Sequence, residues 1–277
     1  MRLRIEHRIS YTYSEPVWLE PMLVRLRAFS NPFQRVQSFT LNVNPEPAGR
    51  SPLIDAAGNS AQRVWFEGTH RSLEFFAVTE AETFLENPYG FLLEPGCTLI
   101  PLAYPESDLP LLQAYFESAA TPDVAGLARR ALERAGGETV SFLLRLAEFI
   151  HAEIKLEQRL IGDPYPPEVT LQAGVGACRD LARLYAEACR SVGVASRFVS
   201  GYARQPEMQT PELHAWCEVY LPGAGWRGFD PSTGLAVDSS YLALAAGPTH
   251  HEARPTWGNY RGPAQSRLRA HIRVEML

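Results

Sequence analysis

A glycine-containing stretch, residues 174–178, leads directly into a helical pattern. After Cys178, apolar residues recur at the spacing of one helix face: Leu181, Leu184, Tyr185, Ala188, Cys189 and Val192. Gly193 then ends the pattern in the way a C′ glycine does. Cys178 is therefore predicted at a helix N-terminus, where unpaired N–H groups and the helix dipole favour a thiolate and can hold an oxyanion. Taken alone, a cysteine among apolar residues also fits a small buried side chain.

Two consecutive strands downstream predict a hairpin. The segment 214–221 alternates, so one face is apolar and the other carries His214, Trp216, Glu218 and Tyr220. We expect the second face to line a cleft. The turn 222–225 connects this strand to a partner that ends at Asp230. This pairing puts Asp230 near His214, where a carboxylate can accept an imidazole N–H and fix the tautomer. Taken separately, the two residues also fit a strand histidine and a turn former.

Cys178, His214 and Asp230 together have the residue types of a cysteine nucleophile system. The same residue types also bind zinc, but the chain has no close pair of ligands such as Cys-x-x-Cys. We therefore predict neither a metal nor a cofactor.

Four stretches between Gly174 and Gly234 resemble the core of the transglutaminase-like superfamily, which is papain-like in layout. They are 176–182 (GACRDLA), 197–202 (RFVSGY), 214–226 (HAWCEVYLPGAGW) and 229–232 (FDPS). More narrowly, the chain resembles bacterial transglutaminase-like proteins that carry a β-rich N-terminal domain. The stretches that match are 3–13, 55–59 (DAAGN) and 257–262 (WGNYRG).

The resemblance implies that Cys178 is the nucleophile, His214 the base and Asp230 the residue that orients the base. Three positions depart from the family pattern. Ala177 and Ser232 stand where a larger residue and a threonine are expected, and 247–250 (GPTH) replaces a Gly-Arg-Asp-Tyr run. The last departure puts in doubt any substrate contact made there.

The predicted fold class is α+β, with a papain-like or transglutaminase-core catalytic domain preceded by a β-sandwich-like N-terminal domain. Alternating apolar residues place the β-rich domain at 1–86. A connector rich in Pro and Gly follows at 87–120, and the catalytic domain is assigned to 121–277. The strictly alternating segment 268–276 predicts a final strand that packs back on the sheet.

The expected function is acyl transfer on amide or peptide bonds, with a peptide, a protein or a small amide as substrate. Hydrolysis, as in a protease or amidase, is the simpler expectation, because an amine acceptor needs its own site. A transglutaminase or N-acyltransferase is the alternative, and a non-catalytic peptide-binding protein is the second. Trp216, Tyr202 and Tyr220 are predicted to contact substrate.

Composition excludes two classes of partner. The formal net charge is −5 and the chain has no basic cluster, which argues against nucleic acid. No signal-peptide run opens the sequence, and no stretch approaches the roughly 18 apolar residues of a membrane helix. Its four cysteines show no paired spacing, so a cytoplasmic, reducing location is predicted. The sequence leaves the oligomeric state open.

Overall fold

The structure is a computed structural model that describes residues 1–159, 161–204 and 213–277. Within these ranges the strands are β1 (Arg2–Leu19), β2 (Met22–Val24), β3 (Gln34–Asn44), β4 (Gly49–Ile54), β5 (Ser60–Trp65), β6 (Thr69–Thr83), β7 (Lys155–Leu156), β8 (Val175–Gly176), β9 (Ser196–Ala203), β10 (Leu213–Leu221), β11 (Gly225–Asp230), β12 (Leu235–Ala236), β13 (Tyr241–Gly247), β14 (Thr256–Trp257), β15 (Tyr260–Arg261) and β16 (Ser266–Met276). The helices are α1 (Leu109–Phe116), α2 (Pro122–Arg134), α3 (Thr139–Glu153), α4 (Pro167–Ala173) and α5 (Cys178–Ser191). The predicted α+β class, a β-rich N-terminal region followed by a core with helices, is confirmed.

Two antiparallel sheets form the N-terminal region. One has the strand order β15-β1-β6-β3 with β16 also paired to β1, and the other has the order β14-β2-β5-β4. The alternation that predicted β1 appears as burial of every second residue from Leu3 to Ile9. These residues pack with apolar side chains of the second sheet, such as Val24 and Val64, to form one core.

The C-terminal strands belong to the N-terminal sheets. Strand β16 runs antiparallel to β1, from Leu3 opposite Met276 to Tyr13 opposite Ser266. Strands β14 and β15 pair with β2 and β1. The sequence assigned residues 121–277 to the catalytic domain, with a final strand at 268–276 that packs back on the sheet. In the structure that strand, together with β14 and β15, joins the N-terminal strands. The reason is that β1 has two free edges: residues 3–12 pair with β6 on one edge and with β16 on the other.

The region that carries Cys178, His214 and Asp230 is built on a five-stranded sheet of order β12-β11-β10-β9-β13. Helices α2, α3 and α5 cover one face of this sheet, and their buried side chains meet Cys217, Val219 and Leu221 of β10. This apolar face of β10 is the one the sequence predicted. The predicted connector packs on the same core through Cys97, which is fully buried, and contains helix α1.

The N-terminal region packs against the β9–β13 end of this sheet. Leu242 and Leu244 of β13 and Tyr202 of β9 lie in the same apolar core as the N-terminal strands. A buried hydrogen bond joins His7 Nδ1 and the Tyr202 hydroxyl at 2.9 Å. The five-stranded sheet therefore contacts the helices through β10 and the N-terminal strands through β9 and β13. Among the described residues, no helix is long and apolar enough to cross a membrane.

Candidate active site

Cys178 is the first residue of helix α5, as the sequence predicted. The chain enters the helix through Gly176, where a Cβ atom would lie 3.0 Å from side-chain carbons of Leu181 and Thr170. A glycine is needed here because the entering chain passes so close to helices α4 and α5. The Cys178 side chain remains partly exposed. It packs on a small apolar cluster of Ala182, Phe198, Ala215 and Ala253.

Asp180, in the first turn of α5, holds two backbone segments that precede this helix. Its carboxylate is fully buried and accepts the backbone N–H of Ala177 at 2.7 Å and that of Tyr165 at 2.7 Å. The guanidinium of Arg159 also donates to it and forms an ion pair. Asp180 therefore ties the segment before α4 to the N-terminus of α5. Arg159 was not predicted from the sequence, because this contact joins segments about twenty residues apart.

His214 and Asp230 meet on one face of the hairpin. Phe229 pairs with Cys217, so the next residue, Asp230, falls opposite Trp216 and diagonal to His214 on the same face. The resulting distance from His214 Nε2 to Asp230 Oδ2 is 2.7 Å. Both side chains are almost fully buried. The hairpin register predicted from the sequence therefore brings the two residues together.

Asp230 receives further hydrogen bonds that hold its carboxylate in place. The Tyr241 hydroxyl donates to Oδ2 at 2.8 Å, while the backbone N–H and the hydroxyl of Ser232 donate to Oδ1 at 2.9 and 2.6 Å. Ser232 thus supplies a hydroxyl where the family pattern has a threonine. Sequence reasoning missed Tyr241, although the apolar run that follows it, 242–246, has the pattern of a buried strand.

The third member of the group, Cys178, lies close enough to His214 to raise the pKa of its imidazole. Since Nε2 of His214 faces Asp230, Nδ1 is the ring nitrogen left for the thiol. Burial alone would lower the pKa of His214, but the Asp230 carboxylate and Cys178 raise it well above its ordinary value of 6.5. For Asp230, burial would raise the pKa, yet His214, Ser232 and Tyr241 bring it below its usual 3.8. The two residues therefore favour an imidazolium paired with a carboxylate.

The three residues predicted to contact substrate lie elsewhere or are covered. Trp216 is 1% exposed and stacks on the imidazole of His214, with ring centroids 6.3 Å apart, so it supports the histidine ring. Tyr202 is 2% exposed and faces the N-terminal region through His7. Tyr220 lies six residues after His214 on β10 and is half-buried. Its hydroxyl donates to the carboxylate of Asp108. The expected cleft face is closed at Trp216 because Tyr241, Val237 and other apolar side chains pack around its ring, with Phe29 of the N-terminal region beside them. No contact here supports the predicted substrate roles.

Known proteins resemble this chain over most of its length. Residues 3–82 match the bacterial transglutaminase-like N-terminal region, and residues 125–231 match the transglutaminase-like superfamily. The uncharacterized protein Rv2569c of Mycobacterium tuberculosis is 26% identical over 93% of this chain and 87% of its own length. The uncharacterized protein ML0607 of Mycobacterium leprae is 25% identical over 100% of this chain and 99% of its own.

One solved structure has the same fold throughout. It is described as a "Putative Cysteine Protease from Cytophaga hutchinsonii" and superposes with a TM-score of 0.75 at 19% sequence identity. The match covers 100% of this chain and 91% of that chain. The likeness therefore includes both the β-rich N-terminal region and the core that carries Cys178.

Proposed function

Because this chain belongs to the transglutaminase-like superfamily, we propose that it is a cysteine-dependent enzyme acting on amide or peptide bonds. In this proposal Cys178 is the nucleophile, His214 the general base and acid, and Asp230 the residue that orients His214. One observation carries the proposal. His214 is hydrogen-bonded to the buried Asp230 carboxylate, and Cys178 at the start of α5 is near enough to raise the pKa of the same imidazole.

The first half of the reaction forms a thioester. The thiol proton moves to Nδ1 of His214, and the Cys178 thiolate attacks the carbonyl carbon of the substrate. The negative charge on the carbonyl oxygen is stabilised by N–H groups at the start of α5, which lack partners within the helix. When the C–N bond breaks, the His214 imidazolium gives its proton to the leaving amine. Asp230 holds the ring in the tautomer that this transfer requires.

The second half transfers the acyl group from Cys178 to an acceptor. We propose water, so the products are a carboxylic acid and the free thiol, and the activity is that of a protease or amidase. His214 removes a proton from the water as it attacks the thioester. No described residue suggests an acceptor site for an amine, and such a site is what a transglutaminase or N-acyltransferase would need.

The proposed substrate is a peptide, a protein or a small amide. We also propose a cytoplasmic location. It is supported by the four cysteines, all of which are free, because free thiols persist in a reducing compartment.

The proposal is tested by trapping the acyl-enzyme. The protein is mixed with a library of peptides and simple acyl donors, quenched, and analysed by mass spectrometry, with and without a primary amine. We expect an acyl adduct confined to Cys178, its decay to the free acid, and no adduct in Cys178→Ala.

Two results would change this account. Faster turnover on adding the amine, together with a matching amide product, would replace water by an amine as the acceptor. A wild-type protein that turns over a substrate with no adduct on Cys178, or with an adduct on another residue, would contradict the assigned nucleophile.

A further inference from the structure

An asparagine of the N-terminal region pairs with the backbone of the catalytic sheet. Asn59 follows the turn between β4 and β5 and is 1% exposed. Its Nδ2 donates to the carbonyl oxygen of Ala246 at 2.8 Å, and the Ala246 N–H donates back to Oδ1 at 2.8 Å. The side-chain amide thus binds both the N–H and the C=O group of Ala246, as a neighbouring strand would.

Gln34 makes the same pair of hydrogen bonds with Ala243, three residues before Ala246 on β13. Its Nε2 donates to the carbonyl oxygen of Ala243 at 2.8 Å, and its Oε1 accepts the Ala243 N–H at 2.8 Å. Strand β13 is the edge of the five-stranded sheet, so its outer N–H and C=O groups have no strand partner there. The amide side chains of Gln34 and Asn59 supply hydrogen-bond partners for the backbone N–H and C=O groups of Ala243 and Ala246.

Asn59 differs from Gln34 because its contacts continue into the segment that follows β13. Its Nδ2 also reaches the carbonyl oxygen of Glu252 at 3.3 Å. Asp55 holds Asn59 in turn, by accepting its backbone N–H at 2.9 Å and its Nδ2 at 3.2 Å. Asp55 also binds Arg25 Nε at 2.6 Å, as part of a largely buried ion pair.

Arg25 extends this network to the far end of the same segment. Its guanidinium donates to the carbonyl oxygen of Arg254 at 3.4 Å, and its backbone N–H donates to that of Pro255 at 2.7 Å. The N-terminal region therefore holds residues 246–255 at both ends.

The inner side of this segment lies beside the nucleophile. Ala253 is 1% exposed and belongs to the apolar cluster on which the Cys178 side chain packs. The ring of His250 lies edge-on to Phe198 of the same cluster, with centroids 6.3 Å apart. Residues 246–255 thus form a wall next to Cys178, and this wall contains the stretch 247–250 that departs from the family pattern.

We propose that Asn59 is a positioning residue that fixes this wall, so that the N-terminal region forms part of the active site. The inference rests on the proposed function for the role given to Cys178. Loss of Asn59 leaves the contacts among Cys178, His214 and Asp230 in place but loosens the surface against which a bound substrate lies.

The test compares Asn59→Ala with Gln34→Ala, because each variant removes one side-chain amide that makes a pair of hydrogen bonds with the backbone of a β13 residue. Hydrogen exchange is measured along 241–255. Alkylation of Cys178 is measured with iodoacetamide and with a peptidyl chloromethyl ketone, which must lie along the wall to react. Thermal unfolding of both variants shows whether their overall stability is matched.

We expect Asn59→Ala to speed exchange across 246–255 and Gln34→Ala to act near Ala243. In Asn59→Ala the rate with the peptidyl reagent should fall roughly tenfold relative to iodoacetamide, because misplaced binding groups lose productive orientation. Gln34→Ala should keep the wild-type ratio of the peptidyl-reagent rate to the iodoacetamide rate.

Equal losses of both alkylation rates in the two variants, or faster exchange with an unchanged ratio of the two rates in Asn59→Ala, would overturn the positioning role. A wild-type Cys178 that reacts with neither reagent would instead count against the proposed function, and the exchange measurement would still test whether Asn59 holds the segment.

Discussion

Replacing His214 with alanine is expected to abolish turnover and to slow the alkylation of Cys178 at near-neutral pH. The raised pKa of His214 keeps its ring protonated at this pH, since the charged form persists below the folded-state pKa. In the proposed mechanism this imidazolium is the positive charge beside the attacking sulfur, so its loss should slow the reaction of Cys178. Turnover also loses the group that protonates the leaving amine, a contribution of about 10²–10⁴-fold for general acid–base catalysis. Alkylation rates and turnover are measured on the same preparation.

His271→Ala is the matched control, because His271 is exposed on β16. It should behave like the wild type in both assays. If His214→Ala alkylates at the wild-type rate while its fold is intact, the proposed thiolate–imidazolium pair is wrong.

The change Asp230→Asn is expected to lower turnover by roughly 10²–10⁴-fold, the scale found when the carboxylate of such a triad is replaced by an amide. An amide cannot supply the charge that raises the pKa of His214, so burial lowers that pKa and the imidazolium is lost at a lower pH. The amide nitrogen also cannot accept the hydrogen bonds that reach both carboxylate oxygens. Turnover and Cys178 alkylation are followed across pH, and circular dichroism checks the fold.

The turn after β11 should survive this change, because the backbone carbonyl of Asp230 accepts the Gly234 N–H at 2.9 Å and is not altered. Glu218→Gln is the control, since Glu218 lies on the same strand as His214 but pairs with Arg197 at 2.5 Å. Near-wild-type turnover in Asp230→Asn would show that Asp230 is a turn former and that another group orients His214.

Local patterns in the sequence were enough to predict the parts of the site. A helix N-cap position, a strand with alternating faces and a short turn are each encoded within about ten residues. The hairpin register then determines that Asp230 lies diagonal to His214. For the same reason the bounds of β10, β11 and α5 agree with the predicted segments to within a residue or two.

What the sequence did not reveal depends on contacts between distant segments. Trp216 looked like a cleft residue because its strand alternates, but Val237 and Tyr241, later in the chain, and Phe29 of the N-terminal region pack around it. Tyr202 is buried by His7, which lies 195 residues earlier in the chain. Asn59 and Ala246 are 187 residues apart. No local pattern encodes such pairs, so the wall beside Cys178 and the closed face behind His214 emerge only in the folded protein.

The central claim is that Cys178 is an activated nucleophile, and competitive labelling of the four cysteines tests it most directly. Limiting iodoacetamide is added at near-neutral pH, and the modification of each cysteine is followed by peptide mapping. Burial raises the pKa of the other three thiols, Cys97, Cys189 and Cys217, so they should react slowly. We predict one fast-reacting thiol, Cys178, and its loss in Cys178→Ala. A wild-type protein without a fast-reacting thiol, or a fast phase that persists in Cys178→Ala, would contradict the account.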